Sequence, residues 1–256
     1  MVGALSLLLI GNLLVHLGAL GIAQTAALGN RLGIATLVML ITFVGGRIVP
    51  SFTRNWLVRE QPGSAAPAPF DHVDRAVLAL TALALALWVA VPETRAAAVG
   101  ELVAGAALAL RLLRWRGHEA WREPLVWSLH LGYAWLVVGF LLLGADGLGL
   151  FLPSSTALHA LTVGAIGTMT LAVMTRASLG HTGRPLTAGT GTTTIYLLVT
   201  LAAILRLTAP LADAAQLLLL DLAGAAWSGA FGLFVVLYAG PLALPRVARE
   251  AATTRA

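Results

Sequence analysis

The sequence predicts an all-α, polytopic transmembrane helical bundle of about eight spans, and three observations lead there. The 256 residues are 59% hydrophobic and only 11% charged, whereas a soluble domain carries roughly 25% charged residues. The mean hydropathy is +0.89. The apolar residues also gather into runs of about 20, the length a helix needs to cross the hydrocarbon core. These runs cover roughly 3–23, 31–49, 73–91, 95–113, 124–143, 156–177, 190–209 and 215–240, and residues 1–256 read as one transmembrane domain.

Taken in order, the first run lacks a basic leading segment, so it reads as a span and not as a cleaved signal. The second ends in a polar and basic stretch, Arg47 to Asn55, placed where a hydrophobic helix meets the membrane surface. Between Arg54 and His72 the chain contains Gln61-Pro62-Gly63-Ser64-Ala65-Ala66-Pro67-Ala68-Pro69, an exposed flexible link. Pro124 opens the fifth span, at a position where proline is tolerated. The high content of Gly, Ala, Ser and Thr suits close helix packing.

All 16 basic residues are arginine. Eight spans put both termini and the links after spans two, four and six on one side. That side carries Arg47, Arg54, Arg59 and Arg75, then Arg111, Arg114, Arg116 and Arg122, then Arg176 and Arg184, then Arg246, Arg249 and Arg255. The other side carries Arg31, Arg95 and Arg206. The positive-inside rule therefore predicts both termini in the cytoplasm. Because the arginines sit in short loops between apolar runs, topology explains the basic balance and no nucleic-acid partner is expected. Membrane lipids are the expected surroundings. The chain has no cysteine, which excludes disulfides, thiolate metal sites and iron–sulfur clusters. A metal would rest on His, Met or oxygen ligands.

Six histidines are present. His72 and His118 sit in links beside charged residues and read as solvated. His16, His130, His159 and His181 lie in or at the ends of spans, where an ionisable group needs a job or a partner. His16 reads either as a ligand or as a packed ring hydrogen-bonded by Asn12, one turn earlier. His130 shares a helix face with Tyr133, and the pair reads equally as an interfacial belt or as a ligand site. His159 opens span six on a face that also offers Thr162, Met169, Thr170 and Met174. Imidazole suits haem iron or copper and thioether suits Cu(I), but the two methionines lie too far along the helix to share one small ion with His159. His181, between Arg176 and Arg184 and flanked by Gly180 and Gly183, reads as a tight basic turn for lipid headgroups, an anion or a haem propionate. Glu101 and Asp221 lie inside spans. Arg206, near the level of Asp221, reads as its structural ion-pair partner, and a proton path is the alternative.

Two blocks and a third between them resemble a known family. Gly45-Gly46-Arg47-Ile48-Val49-Pro50-Ser51-Phe52-Thr53-Arg54-Asn55 is similar to the GGR-x-IP-x-FT-x-N signature of the NnrS family. Leu158 to Thr170, continuing through Met174 to Pro185, is similar to the family's second block, and Leu129 to Trp135 fits between them. The resemblance implies a protein of the bacterial inner membrane that binds haem, of the b type, and copper, and acts in nitric oxide metabolism or nitrosative-stress defence. It implies nitric oxide as the small-molecule ligand and leaves the electron donor open. Family members look like bundles of about twelve helices, so the chain reads as the C-terminal two-thirds, without an N-terminal block of closely spaced histidines. Carried over residue by residue, His130, His159 and His181 become metal-ligand candidates. His16 is a further one from its depth, facing His159 across a haem. Arg47, Arg176 and Arg184 become candidates to neutralise propionates, with Asn55 and Tyr133 as further cofactor contacts. A transporter of a small solute, with Glu101, Arg206 and Asp221 along its path, is the alternative reading. A non-catalytic assembly partner of a respiratory enzyme is a third.

Overall fold

The computed structural model describes residues 2–150 and 153–246. Among them are eight helices long and apolar enough to cross a membrane. They are α1 Val2–Ala19, α2 Ala26–Glu60, α3 His72–Ala90, α4 Arg95–Leu113, α5 Pro124–Gly147, α6 Ser155–His181, α7 Thr190–Thr208 and α8 Gln216–Ala243. The described residues contain no strand. The links at 61–71, 114–123 and 182–189 lie at one end of the bundle, here called the arginine-rich face. Those at 20–25, 91–94, 148–150 and 209–215 lie at the other, the arginine-poor face.

Helix α5 is the axis of the bundle. It buries Leu125, Leu129, Tyr133, Leu136 and Phe140 completely and packs on α4 along one side and α6 along the other. Its approach to α6 is backbone to backbone, since a Cβ on Gly132 would lie 3.1 Å from the Met169 nitrogen. Small residues at such crossings replace the hydrophobic drive that lipid cannot supply. Helix α2 lies against α3 and reaches α6, α7 and α8 pack as a hairpin against α6, and α1 packs mainly on α2. Caps fix where several helices begin. The Asp71 carboxylate accepts from the Val73 N–H at 2.9 Å, while Asp74 Oδ2 accepts from the Asp71 N–H at 3.2 Å, a reciprocal capping box opening α3. Glu123, almost buried, accepts from the Leu125 N–H at 3.1 Å and from the Ala188 N–H at 3.2 Å, tying the start of α5 to the link before α7.

The second helix departs most from the sequence expectation. It does not stop near residue 49 at the membrane surface but runs 35 residues to Glu60, about 52 Å at 1.5 Å per residue, against a hydrocarbon core of about 30 Å. The excess is an amphipathic extension. Val49, Thr53, Trp56 and Leu57 are buried while Arg47, Arg54 and Arg59 are exposed, the spacing of one helical face. Trp56 and Leu57 pack with Ala120 and Val126, at the turn before α5 and its first residues. Pro50 sits inside the helix, where it removes one backbone hydrogen bond. The turn before it, Ile41–Gly45, is wound as a π-helix, and a second π segment, Ala160–Gly167, runs through α6. Both blocks singled out from the sequence therefore contain wide helical turns, which concentrate at functional sites.

Candidate functional site

The most buried charged side chain in the described residues is Arg111, in the last turn of α4 and fully buried. Its position in the sequence suggests a link arginine; the structure places it in the core instead. Its Nε donates to Asp74 Oδ1 at 2.7 Å, and its Nη1 donates to the Thr42 carbonyl at 2.9 Å and to the Tyr133 hydroxyl at 3.1 Å. The guanidinium lies 5.4 Å from the Trp115 ring centroid. Asp74 is 4% exposed, so this ion pair is shielded from water, and a buried charge is tolerated only when paired and hydrogen-bonded. Four elements meet here: the π turn of α2, the first turn of α3, the last turn of α4, and α5. A Cβ on Gly46 would fall 2.3 Å from Arg111 Nη2, so the glycine is what lets α2 pass over the guanidinium. Nη2 itself is buried without a partner.

A shallower layer sits at the arginine-rich face. Arg114 holds Asp71 with Nη1 at 3.1 Å and Nη2 at 2.5 Å. The guanidinium holds the Asp71 carboxyl below the usual carboxylate range, and Asp71 in turn raises Arg114. Arg116, the one non-glycine residue with a left-handed backbone among those described, at φ 55°, donates to Glu119 and lowers its carboxyl in the same way.

The three sequence blocks converge just below this layer. Thr53 Oγ1 and His130 Nε2 are hydrogen-bonded at 2.8 Å, both buried. On the opposite side of the His130 ring, a Cβ on Gly117 would stand 2.4 Å from Nδ1, and the ring lines a cavity of about 290 Å³ together with Gly117 and Leu131. The Arg176 guanidinium lies 3.9 Å above the Phe52 ring, and Met169 Cε and the Tyr133 ring both face Gly45. Thus Thr53 and Phe52 of the first block, His130 and Tyr133 of the second, and Met169 and Arg176 of the third form one neighbourhood.

The remaining candidates lie elsewhere. Arg47 is exposed, 4.5 Å over the Phe43 ring, and Asn55 is exposed. His181 is the last residue of α6 and exposed, with the turn beginning after it at Thr182. Arg184 donates to the Pro241 carbonyl at 3.2 Å, binding the link to the end of α8. His16 is exposed on α1, and neither the Asn12 bond nor the pairing across from His159 forms, because α1 stands at the edge of the bundle. His159 lies on the arginine-poor side, where its Nε2 accepts from Arg206 Nε at 2.9 Å. Arg206 is thereby taken from Asp221, which is exposed and has no ion pair among the described residues. The Thr53, Gly117 and Arg206 partners of these rings were missed from sequence. So was the Asp74–Arg111 pair, although Asp74 near the start of one span and Arg111 near the end of the next must share a level.

These facts test the metal expectation. Among the described residues no three His, Asp or Glu side chains are grouped to hold a metal ion, so a copper site of several such ligands is not assembled. Single-histidine ligation leaves His130 and His159 as the candidates. Because Nε2 of His159 accepts a hydrogen bond, its lone pair is there and the hydrogen is on Nδ1. That Nδ1 is buried without a hydrogen-bond partner.

The family model described as NnrS protein matches residues 1–246. The chain belongs to the NnrS family. The resemblance carried by three short blocks thus extends over nearly all of the sequence, and this NnrS chain is a multi-pass membrane protein with eight apolar helices. No curated protein and no solved structure matches it.

Proposed function

We propose that this NnrS chain binds haem and handles nitric oxide in the bacterial inner membrane, with both termini cytoplasmic. The observation that carries the reading is the pair of span-embedded imidazoles, His130 and His159, in a chain of this family. Neither has a carboxylate partner that would explain it as part of a structural ion pair. Ferrous haem, when bound, supplies an iron that takes nitric oxide as a ligand. His159 is the residue that would hold it, through the Nε2 that accepts from Arg206 in this structure. His130, locked between Thr53 and Gly117, is a positioning residue. Arg47 and Arg54 line a cavity of about 200 Å³ at the arginine-rich face, and Arg176 has no carboxylate within ion-pair reach among the described residues. Arg176 stands 17 residues beyond His159 on α6, about 25 Å along the axis, so these three serve an acidic group separate from a haem held at His159. Copper enters as a second metal from family membership, and we assign it no ligand set.

The solute-path reading is less well supported. Glu101 and Arg206 line separate cavities, and Asp221 is exposed. The test is the visible spectrum and copper content of the purified full-length protein expressed with haem supplied, for wild type, His159→Ala and His130→Ala. A Soret band that shifts on adding nitric oxide and is lost in His159→Ala is expected. A folded, colourless, metal-free wild type would sink the proposal and favour an assembly role.

A further inference from the structure

The largest cavity described, about 570 Å³, opens between α2, α3, α4, α5 and α6 at the arginine-poor end. It contains none of the histidines or propionate candidates above. Its charged lining is Glu101 from α4, Asp146 from α5, Arg31 from α2 and Glu93 from the α3–α4 link; α3 contributes Trp88 and α6 contributes Leu158, both apolar.

Glu101 is the unusual member. It sits six residues into α4 from Arg95, about 9 Å along the axis, and is 3% exposed. Among the described residues it has neither a hydrogen-bond partner nor an ion pair, and Asp146, of the same sign, lines the same cavity. Arg31, on the same cavity, does not rescue it: the Arg31 Nε is itself buried without a partner. A carboxylate withdrawn from water without a cation or donor is strongly disfavoured, and a second carboxylate nearby adds to that cost. The cavity supplies the other requirement. Pro92 and Glu93 of the link and Gly147 at the end of α5 line it together with Glu101, which puts the Glu101 carboxyl and the arginine-poor face on one continuous cavity. Three carboxylates and no grouped metal ligands direct the reading away from a divalent ion.

We propose that the Glu101 carboxyl holds one exchangeable proton, taken up from and returned to the aqueous phase at the arginine-poor face through this cavity. On release the Glu101 O–H bond breaks, the electron pair stays on the carboxylate, and the proton passes to water in the cavity. No oxidant or reductant is involved, and the site stands independently of haem binding.

The test uses the full-length protein in proteoliposomes and dicyclohexylcarbodiimide, which modifies protonated carboxyl groups in apolar surroundings, with peptide mass mapping. Glu101 should be modified at acid pH, with modification falling several-fold as the pH is raised and the carboxyl ionises. Asp146→Asn should move that fall to lower pH, because removing the neighbouring negative charge eases ionisation of Glu101. Glu101→Gln should abolish the labelled peptide while the protein elutes as wild type. Ala27→Trp, at the cavity wall, should slow modification by a water-soluble carbodiimide added from the arginine-poor side. A folded protein whose Glu101 stays unmodified from about pH 5 to about pH 9, or whose modification ignores both pH and Asp146→Asn, overturns the proposal. An unchanged rate in Ala27→Trp overturns the access route.

Discussion

Removing the Asp74 carboxylate should strand Arg111. The guanidinium is fully buried and the carboxylate 4% exposed, with Nε and Oδ1 at 2.7 Å. Asp74→Ala leaves Arg111 with only the Thr42 carbonyl and the Tyr133 hydroxyl, both uncharged. Breaking a buried pair from one side costs about 3–5 kcal/mol, because the surviving charge stays buried and uncompensated. That is roughly two to four decades in the folding equilibrium at about 1.4 kcal/mol per decade. For a chain of this size it corresponds to roughly 6–20 °C in melting temperature. The assay is thermal unfolding in detergent followed by tryptophan fluorescence, to which Trp115 beside the guanidinium contributes. The double change Asp74→Ala with Arg111→Met removes the stranded charge and should recover most of the loss. The same loss should not follow Asp71→Ala, whose Arg114 bridge is partly open to water and therefore weak. If Asp74→Ala melts within a degree or two of wild type, the buried pair does not tie α3 to α4 and the account of the site fails.

Three further outcomes follow from the same geometry. Thr53→Val should destabilise the fold by about 1–2 kcal/mol by leaving His130 Nε2 buried without a partner, and Thr53→Ser should restore most of it in the same unfolding assay. Gly46→Ala forces a methyl into the position of Arg111 Nη2. The guanidinium is pinned by three partners and cannot swing away freely, so the melting temperature should fall, and Arg111→Met in that background should relieve the clash. Stability should also depend on acid. The folded Asp71 carboxyl sits below its ordinary value of 3.8, so its contribution is complete above about pH 4 and disappears as pH falls through the lower, folded value. A pH series of melting temperatures should show that acid-side decline, and Asp71→Asn should flatten it.

The eight apolar helices were legible because hydropathy records the one thing a lipid-spanning helix requires. The end of α2 was not. A proline followed by Ser51, Thr53, Arg54 and Asn55 looks like a surface terminus, yet Val49, Thr53, Trp56 and Leu57 carry a helical spacing that continues past it. Periodicity was the better guide there than the proline. His130 and Tyr133 drew attention as polar groups in a span, but their partners, Thr53 and Arg111, come from helices 77 and 22 residues away, a pairing that hydropathy does not encode. The expected Asn12–His16 and Arg206–Asp221 pairs failed for a related reason. Sharing a helix face or a depth says nothing about which way that face turns, and α1 turns His16 outward while α7 turns Arg206 toward His159.

The signature block acquires a physical meaning from this arrangement. Gly45 faces the Tyr133 ring and Met169, Gly46 clears the Arg111 guanidinium, and the π turn immediately before them offers the Thr42 carbonyl to that same guanidinium. Phe52 then receives Arg176, and Thr53 receives His130. Successive residues of one segment therefore contact α4, α5 and α6 in turn, which a helix ending at the membrane surface would not reach. Its polar character is a list of partners, and each partner lies in a different span. A segment that couples three spans through buried charge and imidazole fixes their register. Any ligand held between α5 and α6 must then act on a scaffold already locked at the arginine-rich end. Movement is left to the arginine-poor half, where His159, Arg206 and the Glu101 cavity are found.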